Sequence, residues 1–190
     1  MADSGSSTGF EINRRQFAKA VLCGAAGLAL YSGEVERHFL EISHNDVHLP
    51  GLHAAFDGMR IVQLSDIHLD VFTEPFFLRH AVNRINQLKP DAVFLTGDFI
   101  TGIKGAHRFR AVQRFLHGTA QQCASILREL ECPLRYAVLG NHDVHVGAAM
   151  VMEALTDNGI TTLRNSSLPI ERSGGRFWLA GLDDPLEGNP

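Results

Sequence analysis

Three short apolar runs, each passing straight into a polar cluster, constrain this chain more than any other feature. Met59-Arg60-Ile61-Val62-Gln63-Leu64 leads into Ser65-Asp66-Ile67-His68, Ala92-Val93-Phe94-Leu95 into Thr96-Gly97-Asp98, and Arg135-Tyr136-Ala137-Val138-Leu139 into Gly140-Asn141-His142-Asp143. Runs of this length, rich in β-branched and aromatic residues and bounded by turn formers, read as buried strands. Helical spacing fills the gaps. After Pro75 the residues Phe77, Leu78, Ala81, Val82, Ile85 and Leu88 share one face until Lys89-Pro90, and a second helix is expected from Phe109 to Leu130. Strands alternating with helices predict an α/β fold. In open α/β sheets ligands bind beyond the carboxyl ends of the strands, so all three clusters are expected on one rim.

The rest of the chain gives weaker signals. Val35 to Leu49 alternates apolar and polar residues before Pro50-Gly51 and is expected as a strand and turn, with a second turn at Asp57-Gly58. A helix is expected from Ala148 to Asp157, capped by Gly159. Leu168–Arg172 and Arg176–Leu182 are expected as a hairpin about Ser173-Gly174-Gly175. At 190 residues, with 45% hydrophobic and 20% charged, the chain is long and apolar enough for one domain with a real core. Its net charge of −4 and the absence of a Lys/Arg run give no basis for nucleic acid as a partner. Cys23, Cys123 and Cys132 form no C-x-x-C pair, which argues against a structural zinc site. Cys123 and Cys132 read as buried thiols, with a disulfide left open for an oxidising compartment.

Residues 1–33 read as an address and 34–190 as the functional domain. Residues 1–9 are small and polar, as in disordered segments. Asn13-Arg14-Arg15-Gln16-Phe17-Ala18-Lys19 then precedes an uncharged stretch from Ala20 to about Ser32. A charged segment followed by a short apolar one reads as an export signal. The paired arginines with Phe17 and Lys19 resemble a twin-arginine (Tat) signal, although Asn13 and Ala18 depart from the usual Ser/Thr and Leu. The resemblance implies the Tat export machinery as a partner. It places the protein in the periplasm or on the outer face of the cytoplasmic membrane. Ala29-Leu30-Tyr31-Ser32 is a poor cleavage site, so residues 18–32 could be retained as an anchor, though the apolar part is short against the ~20 residues of a membrane span.

The clusters carry the chemistry. A phosphate ester undergoing hydrolysis spreads charge over its oxygens, and two neighbouring cations hold the attacking water and clamp the phosphate. Carboxylates, imidazoles and an Asn carbonyl suit two divalent ions of the Mn, Fe, Zn or Co type. Glycines beside them let backbone approach the site. Any one cluster is common, but all three, in this order and each at a strand end, are not. Asp70 reads as structural or solvated, His145 as a surface residue, and Asp183-Asp184 as turn residues, with a place behind the metal ligands left open for that pair. His44, His48, His53, His80, His107 and His117 have no motif around them.

Across residues 59–182 the three clusters resemble the calcineurin-like metallophosphoesterase family. The resemblance implies a layered α/β/β/α sandwich with a dinuclear metal site. Asp66 and His68 would bind metal one, Asp98 would bridge both metals, and Asn141 would bind metal two. His142 would face the substrate, stabilising charge or protonating the leaving oxygen. Asp143 would orient its imidazole, as acid–base logic also expects of a carboxylate beside a histidine. Within the family, the protein Ser/Thr phosphatases follow Gly-Asp with an Asp-Arg-Gly segment, and the purple acid phosphatases place a metal-binding Tyr where this chain has Thr101. Both branches are disfavoured. The Tat-like leader resembles the envelope phosphodiesterase branch, some of whose members act on lipid-linked or wall phosphodiesters. The family also has histidines farther along, whereas no histidine follows His145. Metal two is thereby left with Asp98 and Asn141, and a chain truncated at its C-terminus is expected. The expected function is hydrolysis of a phosphomonoester or phosphodiester; the alternative is a non-catalytic binding module on the same fold.

Overall fold

The computed structural model describes residues 13–30, 40–70, 74–102 and 109–189. The chain divides into two compact units, Met1–Asn45 and Asp46–Pro190.

In the first unit, α1 spans Arg14–Leu30. Its start is fixed locally: the Gln16 N–H donates to Asn13 Oδ1 (2.9 Å) and the Asn13 N–H donates to Gln16 Oε1 (3.1 Å). This reciprocal pair satisfies two N–H groups of the kind a helix start leaves without partners. Phe17, Val21 and Leu22 are all exposed. No described helix is long and apolar enough to cross a membrane. Of the expected strand Val35–Leu49, residues 35–39 lie outside the described residues, and residues 40–49 form no strand. Val47 and Leu49 are exposed, so the alternation there has neither a partner strand nor a core face to pack against.

The second unit holds a sheet of four parallel strands in sequential order: β1 (Ile61–Leu64), β2 (Ala92–Leu95), β3 (Leu134–Ala137) and β4 (Thr161–Thr162). Their connections are α2 (Pro75–Leu88), α3 (Arg110–Leu127) and α4 (Asn141–Asp157). Parallel crossovers are right-handed, so connections that always step to the next strand place their helices on the same face. Accordingly α3 packs against both α2 and α4. β2 is central and almost wholly buried, whereas β1 is an edge strand with Ile61 exposed, not the buried strand its composition suggests. The mixed α/β fold with a parallel sheet is the one expected.

α2 begins at Pro75, whose missing N–H costs nothing at a first helical position, and ends at Lys89 in the left-handed conformation just before Pro90. It buries Leu78, Ala81, Val82 and Ile85. Burying aliphatic side chains of the Leu, Val or Ile kind is worth roughly 1.5–3 kcal/mol each. α3 buries Leu116, Ala120, Cys123, Ala124, Ile126 and Leu127 against the same core. Cys123 and Cys132 are both free and buried, and burial, with a smaller push from Asp143, lifts the Cys123 thiol far above its ordinary range. α4 starts earlier than expected because Asn141-His142-Asp143 is itself helical. Gly147, at φ 135°, breaks the helix before Ala148.

A separate antiparallel pair, β5 (Ser166–Arg172) and β6 (Gly175–Gly181), forms the expected hairpin. Its loop is Ser173-Gly174, at φ 47° and 80°, the pair of positive values that a two-residue type I′ turn demands. Phe177 stacks edge-on against Phe56 at 4.8 Å, and Arg172 pairs with Asp91 at 3.3 Å, tying the hairpin to the start of β2.

Candidate metal centre

The loops after β1, β2 and β3 meet at one rim. Backbone pairing continues past the strands: the His68 N–H donates to the Asp98 carbonyl (2.8 Å) and the Leu69 N–H to the Phe99 carbonyl (2.9 Å). Asp66, His68 and Asp98 sit at φ 55°, 46° and 56°, three of the six described non-glycine residues in the left-handed region. That conformation costs roughly 1–2 kcal/mol for a residue with a Cβ. It recurs on three expected ligands, where strain is held by the surrounding fold.

Glycines make the close approach possible. A Cβ on Gly97 would lie 2.2 Å from the Gly140 nitrogen, and a Cβ on Gly140 would lie 2.2 Å from Asp98 Oδ1. The Gly of each motif is therefore required by the backbone of the other.

The structure gathers His68, Asp98 and His142, with one ligand atom from each lying within 4.8 Å of the others. His68 Nε2 stands 3.6 Å from Asp98 Oδ2 and 3.9 Å from Asp66 Oδ1. Both distances exceed a hydrogen bond. They approach the roughly 3.0–3.5 Å expected between donors that share one cation at about 2.1 Å. Asp98 Oδ1 accepts the His142 N–H at 3.0 Å, which leaves Oδ2 toward His68. Imidazole and carboxylate donors at this spacing fit a divalent metal of the transition series. Asp66 stands at the open side, with 69% of its side chain exposed. Asn141 is the first residue of α4, next to Gly140.

Asp143 occupies a different place from the one expected. It does not orient the His142 imidazole. Its carboxylate is fully buried and accepts four backbone N–H groups: Asp98 (2.8 Å) and Gly140 (3.0 Å) on Oδ2, and Phe99 (3.0 Å) and Ile100 (3.4 Å) on Oδ1. Asp143 thus clamps the loop after β2 to the start of α4. Burial pushes its carboxyl from 3.8 to about 6, the hydrogen bonds from Gly140, Ile100 and Phe99 pull it back, and the nearby Asp98 charge adds to the rise. The carboxylate has no lone pair left to aim at His142. The contact to His142 Nδ1 comes from the Gly102 N–H, at 2.9 Å. Nothing in the motifs singled Gly102 out. The only signal was a glycine four residues past the Gly-Asp aspartate.

The remaining candidates fall into place. Asp70 accepts the Thr101 hydroxyl at 2.7 Å. His145 is half-buried, not a surface residue: Nδ1 lies 3.8 Å from Glu187, and Nε2 is buried without a hydrogen-bond partner. Asp183 is buried and pairs with Arg164 at 2.8 Å, and it accepts the Asn189 N–H at 2.7 Å. The Arg164 guanidinium holds the Asp183 carboxyl below its ordinary value. Asp184 accepts the Leu186 and Glu187 N–H groups in a turn. His44, His48, His53, His80 and His117 are exposed, and His107 lies outside the described residues.

A parallel sheet whose strand ends gather imidazoles and carboxylates at this spacing fits a metal-binding hydrolase of the α/β class. The model of the calcineurin-like phosphoesterases matches residues 59–183, and the chain belongs to that family. It is 30% identical over 190 residues, 95% of its length, to Uncharacterized metallophosphoesterase YkuE of Bacillus subtilis, of which it spans 63%. It is also 30% identical over 145 residues to UDP-2,3-diacylglucosamine pyrophosphatase LpxG of Chlamydia muridarum, covering 76% of this chain and 40% of that one. The NAD nucleotidase (NadN) of Haemophilus influenzae superposes with a TM-score of 0.45 at 18% identity, covering 67% of this chain and 26% of that one.

Proposed function

We propose that this chain carries the core of a hydrolase that cleaves phosphomonoesters or phosphodiesters at a dinuclear site for Mn, Fe, Zn or Co. The observation that carries the reading is the convergence of His68, Asp98 and His142 on one rim, beside the exposed Asp66. Cations bound there supply electrophilic stabilisation of phosphate oxygens and acidify water. The chain's own residues do the rest. Asp66 and His68 would hold one ion, Asp98 would serve both, and Asn141 would serve the second. Asp98 is pre-oriented because the His142 N–H fixes its Oδ1, and the imidazole of His142 faces the substrate. Asp143 is a positioning residue that sets the geometry of both loops and touches no reacting atom.

The substrate proposed is a lipid- or envelope-linked phosphoester. Support comes from the similarity to LpxG, whose name describes a pyrophosphatase of UDP-2,3-diacylglucosamine. Residues 1–33 act as a Tat-type leader or retained anchor that delivers the protein to the periplasm or the outer face of the cytoplasmic membrane. Arg14 and Arg15 are exposed on the first turn of α1, available to a receptor. Replacing both by Lys should leave the precursor in the cytoplasm; normal export of that variant would contradict the leader.

The test of function is hydrolysis of bis(p-nitrophenyl) phosphate by the protein, with and without Mn²⁺. Asp98→Asn should abolish both metal binding and turnover. His142→Ala should keep the metal and lower kcat by roughly 10²–10⁴. Metal binding with no turnover on any phosphoester would favour the binding-module alternative.

A further inference from the structure

We propose that the side-chain bond between Thr101 and Asp70 is a positioning latch for the metal centre: it sets the spacing of His68 and Asp98 and binds neither the ion nor the substrate. This rests on the phosphoesterase reading above, and it adds two residues to the site which that reading assigns.

The loops after β1 and β2 leave a regular ladder and return to it. The two strands pair in parallel up to Leu64 opposite Leu95. Beyond that point Asp66, His68 and Asp98 take the left-handed conformation, at φ 55°, 46° and 56°, which no regular strand allows. Pairing then resumes in the same register: Leu69 stands opposite Ile100, and the next pair along is Asp70 and Thr101. There the Thr101 hydroxyl donates to Asp70 Oδ2 at 2.7 Å, and Thr101 Oγ1 lies 3.5 Å from the His68 carbonyl oxygen. The strained stretch that carries three expected ligands is thus held at both ends, by the ladder on one side and by the Leu69–Ile100 and Asp70–Thr101 pairs on the other.

Cation binding depends on how far apart these loops stand. Donors that share one ion at about 2.1 Å lie roughly 3.0–3.5 Å from each other, and His68 Nε2 lies 3.6 Å from Asp98 Oδ2. His68 comes from one loop and Asp98 from the other, so this spacing is set by the register of the two loops. Left-handed residues with a Cβ persist only where the surrounding structure over-determines them. Leu69 and Ile100 supply part of that restraint by being fully buried. Apolar packing is non-directional, however, and leaves the loops room to slide. The hydroxyl–carboxylate bond is directional and fixes the register. Both of its residues are half-buried, so water competes for it less than on an open surface. Thr suits the donor's place because its branched Cβ restricts χ1 and holds the hydroxyl toward Asp70.

The experiment combines equilibrium dialysis of Mn²⁺ with amide hydrogen exchange on the full chain. Thr101→Val, which keeps the branched shape and removes the donor, should weaken Mn²⁺ binding roughly 10–100-fold. In the metal-free protein it should speed exchange of the His68 and Leu69 N–H groups, which bond the Asp98 and Phe99 carbonyls, by roughly 2- to 10-fold. Thr101→Ser restores the hydroxyl and Asp70→Asn retains an accepting oxygen, so both should lie closer to wild type than to Thr101→Val in both measurements. Asp70→Ala should match Thr101→Val, and the double variant should bind no more weakly than either single one. Additive losses in the double variant, or an Asp70→Asn as weak as Asp70→Ala, would make Asp70 a ligand or a charge acting on its own and overturn the latch. Unchanged affinity and exchange in a folded Thr101→Val would overturn it as well. If Thr101→Val does not fold, Asp70→Ala and Asp70→Asn decide the same question. Neither measurement needs turnover. Weakened Mn²⁺ binding and faster exchange in Thr101→Val, in a protein that hydrolyses no phosphoester, would sink the function and leave the latch standing; a phosphoesterase whose Thr101→Val variant keeps wild-type affinity and exchange would do the reverse.

Discussion

Replacing Asp143 by Asn tests whether the buried carboxylate is a backbone clamp or a partner of His142. The amide keeps the shape but turns one accepting oxygen into a donor. Two of the four N–H groups from Asp98, Phe99, Ile100 and Gly140 then lose their acceptor and face another donor. Losing hydrogen bonds to a charged group and stranding the N–H partners costs about 2–3 kcal/mol each, or roughly 4–6 kcal/mol together. Against this stands the cost of burying the charge, which the neutral amide avoids; that cost lifts the carboxyl to about 6 even though the backbone N–H groups pull it down. The expectation at pH 7 is therefore a loss smaller than the hydrogen-bond cost alone. The sign with pH follows from the raised value. Between about 6 and 3.8 the folded wild type binds a proton that the unfolded chain does not, so it gains stability as pH falls through that window. The amide has no such gain, so the gap should widen at pH 5. Urea unfolding of the metal-free proteins at pH 7 and 5, with unchanged m-value, is the assay. Equal stability at both pH values, together with a shifted His142 ring ¹⁵N signal in the variant, would refute the clamp and restore Asp143 as the imidazole's partner.

Other outcomes follow from the same geometry. Asp66→Gly relieves a left-handed residue whose side chain is largely exposed, so metal-free stability in urea should rise by about 0.5–1 kcal/mol while metal affinity falls; a drop in stability would contradict the strain argument. Gly140→Ala drives a Cβ into Asp98 and should unfold or strongly destabilise the rim, whereas Gly118→Ala, on α3 with open space around it, should leave thermal stability unchanged or slightly higher. Because Arg164 holds the Asp183 carboxyl below 3.8, the pair's contribution is present above that pH and is lost as pH falls through the lower folded value. Arg164→Leu should remove that acid sensitivity, which urea midpoints between pH 5 and 2 would show.

The parts of the fold legible in sequence were those with local causes. α2 is bounded by Pro75 and Lys89-Pro90, and β2 by Pro90 and Gly97, so apolar pattern and breakers agreed. The hairpin followed from Gly174 and its flanking apolar residues. β4 has two threonines and exists only because β3 offers an edge. The start of α4 is polar and reads as a loop, yet backbone donors from the β2 loop close around Asp143 and make it a helical turn. The described part of Val35–Leu49, residues 40–49, shows the opposite failure, alternation without a neighbouring strand. At the site, the residue types on the rim were readable, because cation chemistry restricts them. Asp143's real partners and the Gly102 amide were not, because a backbone N–H has no letter in the sequence.

The most direct test of the metal centre is equilibrium dialysis of Mn²⁺ against the metal-free wild type and Asp98→Asn. Asp98 is the carboxylate the structure fixes between His142's backbone and His68, so its loss should remove specific Mn²⁺ binding while far-ultraviolet circular dichroism stays the same. Undiminished Mn²⁺ binding by a folded Asp98→Asn variant would mean that the ion is held elsewhere and that the rim is not the metal centre.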